Sequence, residues 1–255
     1  MDAFTSNTKR FAGVKEWIFR LAGLVFSVLS SGCGIILANS KYWRLWEFND
    51  KMVQLVYIGL WEAYYYREFN ISGTMTRILV HSPINSDWTI SPEFRCAQSL
   101  ILLAMLIKPV VVIFSSAAIR VSIISASVHK IQILCYMCCI PILFLSSLCT
   151  IISVTLNYVV DIFGETTLDF PHTFPVNKID LIKKHRTQVV PLGVLTATFS
   201  LLGVIMFLCE VRSLKAQYNM KAKLSSKQVD QRPEIRVLVL SSCGRGLHGQ
   251  ISTLT

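Results

Sequence analysis

Four long apolar runs, Leu21 to Ala38, Ala97 to Ile119, Ile131 to Val154 and Val189 to Cys209, alternate with polar segments along the chain. A hydrocarbon core of about 30 Å takes about 17–25 helical residues to cross, so each run is long enough. None contains Asp or Glu, and only the second contains a basic residue, Lys108. A helix satisfies its own backbone polar groups, so each run predicts a membrane-spanning helix. The chain then divides into an amino-terminal tail (1–20), a first span (21–38), a first loop (39–96), a second span (97–119), a short turn (120–130), a third span (131–154), a second loop (155–188), a fourth span (189–209) and a basic tail (210–255). Removal of the first run as a signal peptide is the alternative, but signal cores usually hold about 7–15 apolar residues and this one is longer.

The first loop changes period. Val53, Leu55, Tyr57, Gly59 and Trp61 fall on one face at a spacing of two, and Tyr64 to Phe69 and Thr74 to Val80 are rich in β-formers. The predicted fold class is therefore an all-α membrane protein, a four-transmembrane-helix bundle with a small extracellular antiparallel β-sheet from the first loop.

Charge orients it. The two tails and the short turn hold fourteen basic and five acidic residues, whereas the two long loops hold ten of each. Basic residues near span ends are retained on the cytoplasmic side, so both termini are expected there. Asn70-Ile71-Ser72 fits the N-glycosylation acceptor pattern, which places Asn70 on the opposite side and predicts a glycoprotein. Composition agrees with a bilayer as the solvent: 53% of residues are hydrophobic, 16% are charged and the mean hydropathy is +0.51. The net charge of +10 then reads as topology and lipid attraction, with no nucleic acid partner.

Enzymatic and cofactor readings find no constellation. The histidines at 81, 129, 172, 185 and 248 lack ligand spacing, and no nucleophile elbow appears. No metal, cofactor or small-molecule substrate is expected. Cys135-x-x-Cys138-Cys139 lies on an apolar helix without a nearby carboxylate and reads as packed thiols. Gly244-Arg245-Gly246-Leu247-His248-Gly249 matches a dinucleotide fingerprint, but only six residues follow it, too few for the helix such a site needs. Cys209, at the end of the fourth run, is placed for palmitoylation, with an unmodified thiol as the alternative.

Lys108 is about eleven residues from either end of its run, a costly place for a charge unless it faces protein. Pro109 frees the carbonyl of Met105, so Lys108 is expected to turn inward to that carbonyl at a kink, a structural role preferred to transport. Gly23, Ser27 and Ser31, with Ser30 and Gly34, form a small-residue face for a neighbouring helix, in the same chain or in another copy.

Tyr42-Trp43-Arg44-Leu45, then Gly59-Leu60-Trp61, then Arg95 at the start of the second span carry a resemblance to claudins, in the peripheral myelin protein/claudin-like superfamily. Trp43, Gly59, Leu60, Trp61 and Arg95 match that family's pattern, and the loop sizes agree with it. The chain departs where the family places a first-loop cysteine pair: Glu62, Ala63, Tyr64, Tyr65 and Tyr66 follow Trp61, and the next Cys is Cys96. Without a disulfide the sheet must rely on cross-strand aromatic packing or on a partner. The resemblance implies a structural protein at plasma-membrane cell-cell junctions, associating with itself or with other claudin-like proteins within and between membranes. An auxiliary subunit of a channel or receptor is the alternative. An interfacial aromatic belt is the other reading of Trp43 and Trp61. The second loop, with Phe170-Pro171 and Phe174-Pro175, reads as a recognition turn. The ending Ser252-Thr253-Leu254-Thr255 lacks the hydrophobic last residue of the family's scaffold-binding tail.

Overall fold

A computed structural model describes the backbone of residues 2–71, 74–124, 129–164 and 168–245, and the side chains of 14, 17–70, 74–124, 129–164 and 168–223. In chain order the elements are α1 (Asp2–Ala38), β1 (Arg44–Phe48), β2 (Leu55–Ile58), β3 (Glu62–Ile71), β4 (Thr74–Pro83), α2 (Pro92–Ile124), α3 (His129–Phe163), a 3₁₀ turn (Lys178–Asp180), β5 (Leu181–His185) and α4 (Val189–Arg245). The chain divides into two compact units, residues 1–210 and 211–255, the second formed by the carboxy-terminal part of α4 and the residues after it.

Every helix outruns its apolar stretch, because lipid thickness limits only how many residues must be apolar. Ile235 to Leu240, strand-like in sequence, is helical and belongs to α4. Among the described residues four helices are long and apolar enough to cross a membrane, and their surfaces are those of a multi-pass membrane protein. Leu106, Ile113 and Leu134 are each about two-thirds exposed, whereas Ser30, Ser115, Ser146, Ser153 and Ser200 are fully buried. Lipid is as apolar as leucine, so helices associate through close packing and polar links. Ser30 Oγ meets Ser200 Oγ at 2.6 Å across α1 and α4, Ser147 Oγ donates to Ala197 O (3.3 Å), and Ser153 Oγ donates to Ala97 O (3.0 Å). A Cβ at Gly23 would stand 2.5 Å from the Phe207 ring. The small-residue face of α1 is thus engaged by α4 and α2 of the same chain.

Lys108 is buried, but its expected partner was wrong. Its Nζ donates to Ser30 O of α1 at 3.1 Å, not to Met105 O of its own helix. Gly34 makes room, since a Cβ there would lie 2.9 Å from that Nζ. A long lysine side chain reaches a neighbouring helix more easily than it curls back onto its own turn.

The sheet has five antiparallel strands in the order β4-β3-β2-β1-β5. The expectation of a sheet from the first loop alone is corrected: β5 comes from the second loop and pairs with β1, with Trp46 opposite Lys184. Trp46, Phe48, Val56, Ile58, Ala63 and Tyr65 form the buried face. Leu55 and Tyr57, singled out by their period-two spacing, lie on the other face. Below the sheet Phe170 and Phe174 stack on each other at 4.6 Å between ring centres and meet Trp46, Trp88 and Tyr65 edge-on. Phe170 and Phe174 therefore anchor the second loop under the sheet, and the turn between them leaves His172 and Thr173 exposed.

Candidate functional site: the sheet and its seat on the bundle

The family-like residues Trp43, Gly59, Leu60 and Trp61 converge at the carboxy-terminal end of α1. The last carbonyls of a helix have no partner within it. Trp43 Nε1 donates to Leu37 O at 2.9 Å and Trp61 Nε1 to Ala38 O at 3.1 Å, so two indoles cap the helix. Gly59 and Leu60 make the reversal between β2 and β3 that returns Trp61 to that end. Gly59 N donates to Glu62 O at 2.8 Å, and a Cβ at Gly59 would stand 3.0 Å from both Glu62 O and Ser40 O. Leu60 is fully buried. Trp43 is also buried, which replaces the aromatic-belt reading for that residue, while Trp61 stays 38% exposed. Arg95 does not join them: it is exposed on the first turn of α2. The α2 residue that reaches the motif is Gln98, whose Nε2 donates to Leu60 O at 2.6 Å.

A second cluster fixes the sheet to α3. Arg44, fully buried at the start of β1, donates from Nε to Asn157 Oδ1 at 3.0 Å. The same nitrogen is 3.7 Å from Asp161 Oδ1, and the guanidinium lies 4.8 Å from the centre of the Phe94 ring. Asp161 Oδ1 also accepts from Trp46 Nε1 at 2.9 Å, and Asn157 Nδ2 donates to Trp43 O at 3.3 Å. Lys184 of β5 caps α3, donating from Nζ to Asp161 O (2.7 Å) and Gly164 O (3.3 Å). Burial pulls the Arg44 guanidinium below its ordinary range, with Asp161 and then Glu93 opposing that pull. Lys184 is lowered by the same cause, burial first, and Asp161 again acts against it. Asn157 and Asp161 stand one helical turn apart past the third apolar run, so the signal present in the sequence was an i, i+4 polar pair at a span end. In sequence Asp161 counts among the charges of the second loop.

At the other end of the bundle Arg20 pairs with Glu210 and donates to Ser122, tying α1, α4 and α2 together. Cys209 is half-buried in α4 beside this pair. Cys33, Cys96, Cys135, Cys138, Cys139, Cys149 and Cys209 are all free thiols. After Trp61 the strands are joined across by aromatic rings. Tyr64 lies opposite His81 with ring centres 6.4 Å apart, and Tyr57 meets Tyr66 at 6.5 Å and Tyr42 at 5.5 Å.

The outer half of the β3–β4 hairpin differs from the rest of the sheet. β2 pairs with β3 only from Ala63 to Tyr65, whereas β3 and β4 remain paired out to Ile71 and Thr74. Beyond Tyr65 the hairpin is a two-stranded ribbon exposing Phe69, Met75, Ile78 and Leu79. Asn70 is exposed on this ribbon, and Ser72 of its acceptor tripeptide lies outside the described residues.

No family model matches the chain, and no curated protein matches it.

Proposed function

We propose that this is a claudin-like structural membrane protein of cell-cell contacts, with both termini cytoplasmic and the sheet on the extracellular side. Lateral association in one membrane and docking between membranes would carry adhesion or a paracellular barrier. The excess of basic residues in the tails and short turn supports this orientation, and so does the exposure of Asn70. The Trp43, Gly59, Leu60 and Trp61 arrangement supports the family reading, since these four residues act together at one helix end.

The observation that carries the proposal is the contrast within the sheet. Its inner part is fixed to the bundle by Arg44, Trp46, Asn157 and Asp161, while the β3–β4 ribbon exposes apolar side chains and a free strand edge. An exposed two-stranded ribbon gains little from its own burial, and an unpaired edge offers a row of backbone donors and acceptors. A rigid base with such an edge suits association with a neighbouring protein. No step of that role needs chemistry, so the protein acts without catalysis.

The test is expression in otherwise non-adherent cells, followed by microscopy of mixed pairs and freeze-fracture imaging. Enrichment at contacts with intramembrane strands supports adhesion, and Ile78→Lys, which charges the ribbon, should abolish it at unchanged surface level. Diffuse staining with a stoichiometric co-purifying channel would defeat adhesion and favour the auxiliary-subunit reading, in which the ribbon folds against that channel.

A further inference from the structure

Beside the capped end of α1 lies a cleft of about 190 Å³ lined by Ala38, Asn39, Ser40, Gly59, Leu60, Trp61, Glu62 and Tyr64. Its one charged contributor is Glu62, which brings a carboxylate to the cleft, while the last two carbonyls of α1 are already held by the Trp43 and Trp61 indoles. Tyr64 donates its hydroxyl to Glu62 Oε2 at 2.8 Å. That bond, with burial and the carboxylate's charge behind it, raises the Tyr64 pKa above its ordinary value. Among the described residues no cation pairs with Glu62. The neighbouring Lys41 directs its ammonium to the Tyr42 and Tyr57 rings, at 5.3 and 5.5 Å from their centres. Trp61 and Tyr64 add π faces, which attract cations.

We propose that this cleft is a binding site for an organic ammonium, namely the choline headgroup of a membrane lipid, held by the Glu62 carboxylate and the rings of Trp61 and Tyr64. Depth selects the lipid over a protein side chain. The cleft begins at Ala38, where the apolar span Trp17–Ala38 ends, and that is the level of lipid headgroups. Size agrees as well. Pockets for drug-sized ligands run from about 300 Å³ upward, so this one takes a headgroup fragment while the acyl chains stay in the bilayer beside α1. A bound headgroup would tie the junction of α1 and the sheet to the membrane surface. The site does not depend on the adhesive role.

The experiment uses the full chain carrying Trp17→Phe, so that Trp61 is the exposed tryptophan of the described residues, reconstituted in phosphatidylglycerol vesicles. One sample contains a minor fraction of phosphatidylcholine with a nitroxide on its headgroup nitrogen. The other contains a lipid with the same nitroxide on an uncharged headgroup linker. The cationic probe should quench tryptophan emission more than the uncharged one, and choline chloride should relieve the excess. Trp61→Phe should remove the excess. Glu62→Gln should raise the choline concentration for half-relief about tenfold, the equivalent of about 1.4 kcal/mol. Tyr64→Phe, which keeps both ring and carboxylate, should retain the excess and shows that loss of the Tyr64 bond alone is not the cause. Equal quenching by the two probes overturns the proposal, as does an unchanged half-relief concentration in Glu62→Gln or an excess that vanishes in Tyr64→Phe. Relief by a lysine peptide but not by choline overturns the lipid assignment in favour of a protein partner.

Discussion

Replacing Asp161 by Asn removes a charge from the seat of the sheet while keeping its shape. Both side chains of the Arg44–Asp161 pair are almost wholly out of solvent, 0% and 4% exposed, and stand 3.7 Å apart. At an effective dielectric of about 20, that separation corresponds to about 4 kcal/mol of attraction. Removing one member of a buried pair leaves the other charge uncompensated, at a measured cost of about 3–5 kcal/mol. Arg44 retains Asn157 and the Phe94 ring, so the lower end applies, and Asp161→Asn should destabilise the protein by about 3 kcal/mol. For a chain of this size that lowers the unfolding midpoint by roughly 6–12 °C. Heating the purified protein in detergent, with release of the buried tryptophans as the signal, gives the value. The double variant Arg44→Met with Asp161→Asn should lose at least about 1 kcal/mol less than the two single losses added together. Strict additivity would refute the pair as the seat of the sheet, whatever the single variants do.

Gly59→Ala should cost about 1–3 kcal/mol in the same assay, because both close atoms belong to backbone that cannot turn away; an unchanged midpoint would contradict the tight reversal. Gly34→Ala should be destabilising through the Lys108 ammonium, and Lys108→Met should restore it, leaving surface expression intact or improved. Selective loss of a conductance in Lys108→Met would instead point to transport. Tyr64 has a raised folded pKa, so its bond to Glu62 contributes fully below the unfolded tyrosine value of about 10 and is lost as pH rises through the folded value. In an ultraviolet titration, the difference between the unsubstituted protein and Tyr64→Phe should therefore be a late tyrosinate, and that step should move earlier in Glu62→Gln. Endoglycosidase should sharpen the gel mobility of protein from secretory cells, with Asn70→Gln already at the sharpened position.

Hydropathy alone determined that four helices are long and apolar enough to cross a membrane, because any crossing segment must satisfy its backbone internally and present apolar side chains to lipid. Period-two spacing and β-branched or aromatic residues determined that the first loop holds strands, and β3 and β4 are where those residues cluster. Neither signal could assign β5, whose Leu181-Ile182-Lys183-Lys184-His185 is short and polar and becomes a strand only by pairing with β1. Nor could local pattern find the seat. Arg44 and Asp161 are more than a hundred residues apart and each reads as an exposed loop charge until the fold removes both from water. Lys108 divides the same way. Its position in an apolar run determined that it must face protein, but which carbonyl receives it depended on the space that Gly34 leaves for its ammonium beside α1. A desolvated charge takes the acceptor that packing brings within reach, and packing is a property of the whole chain.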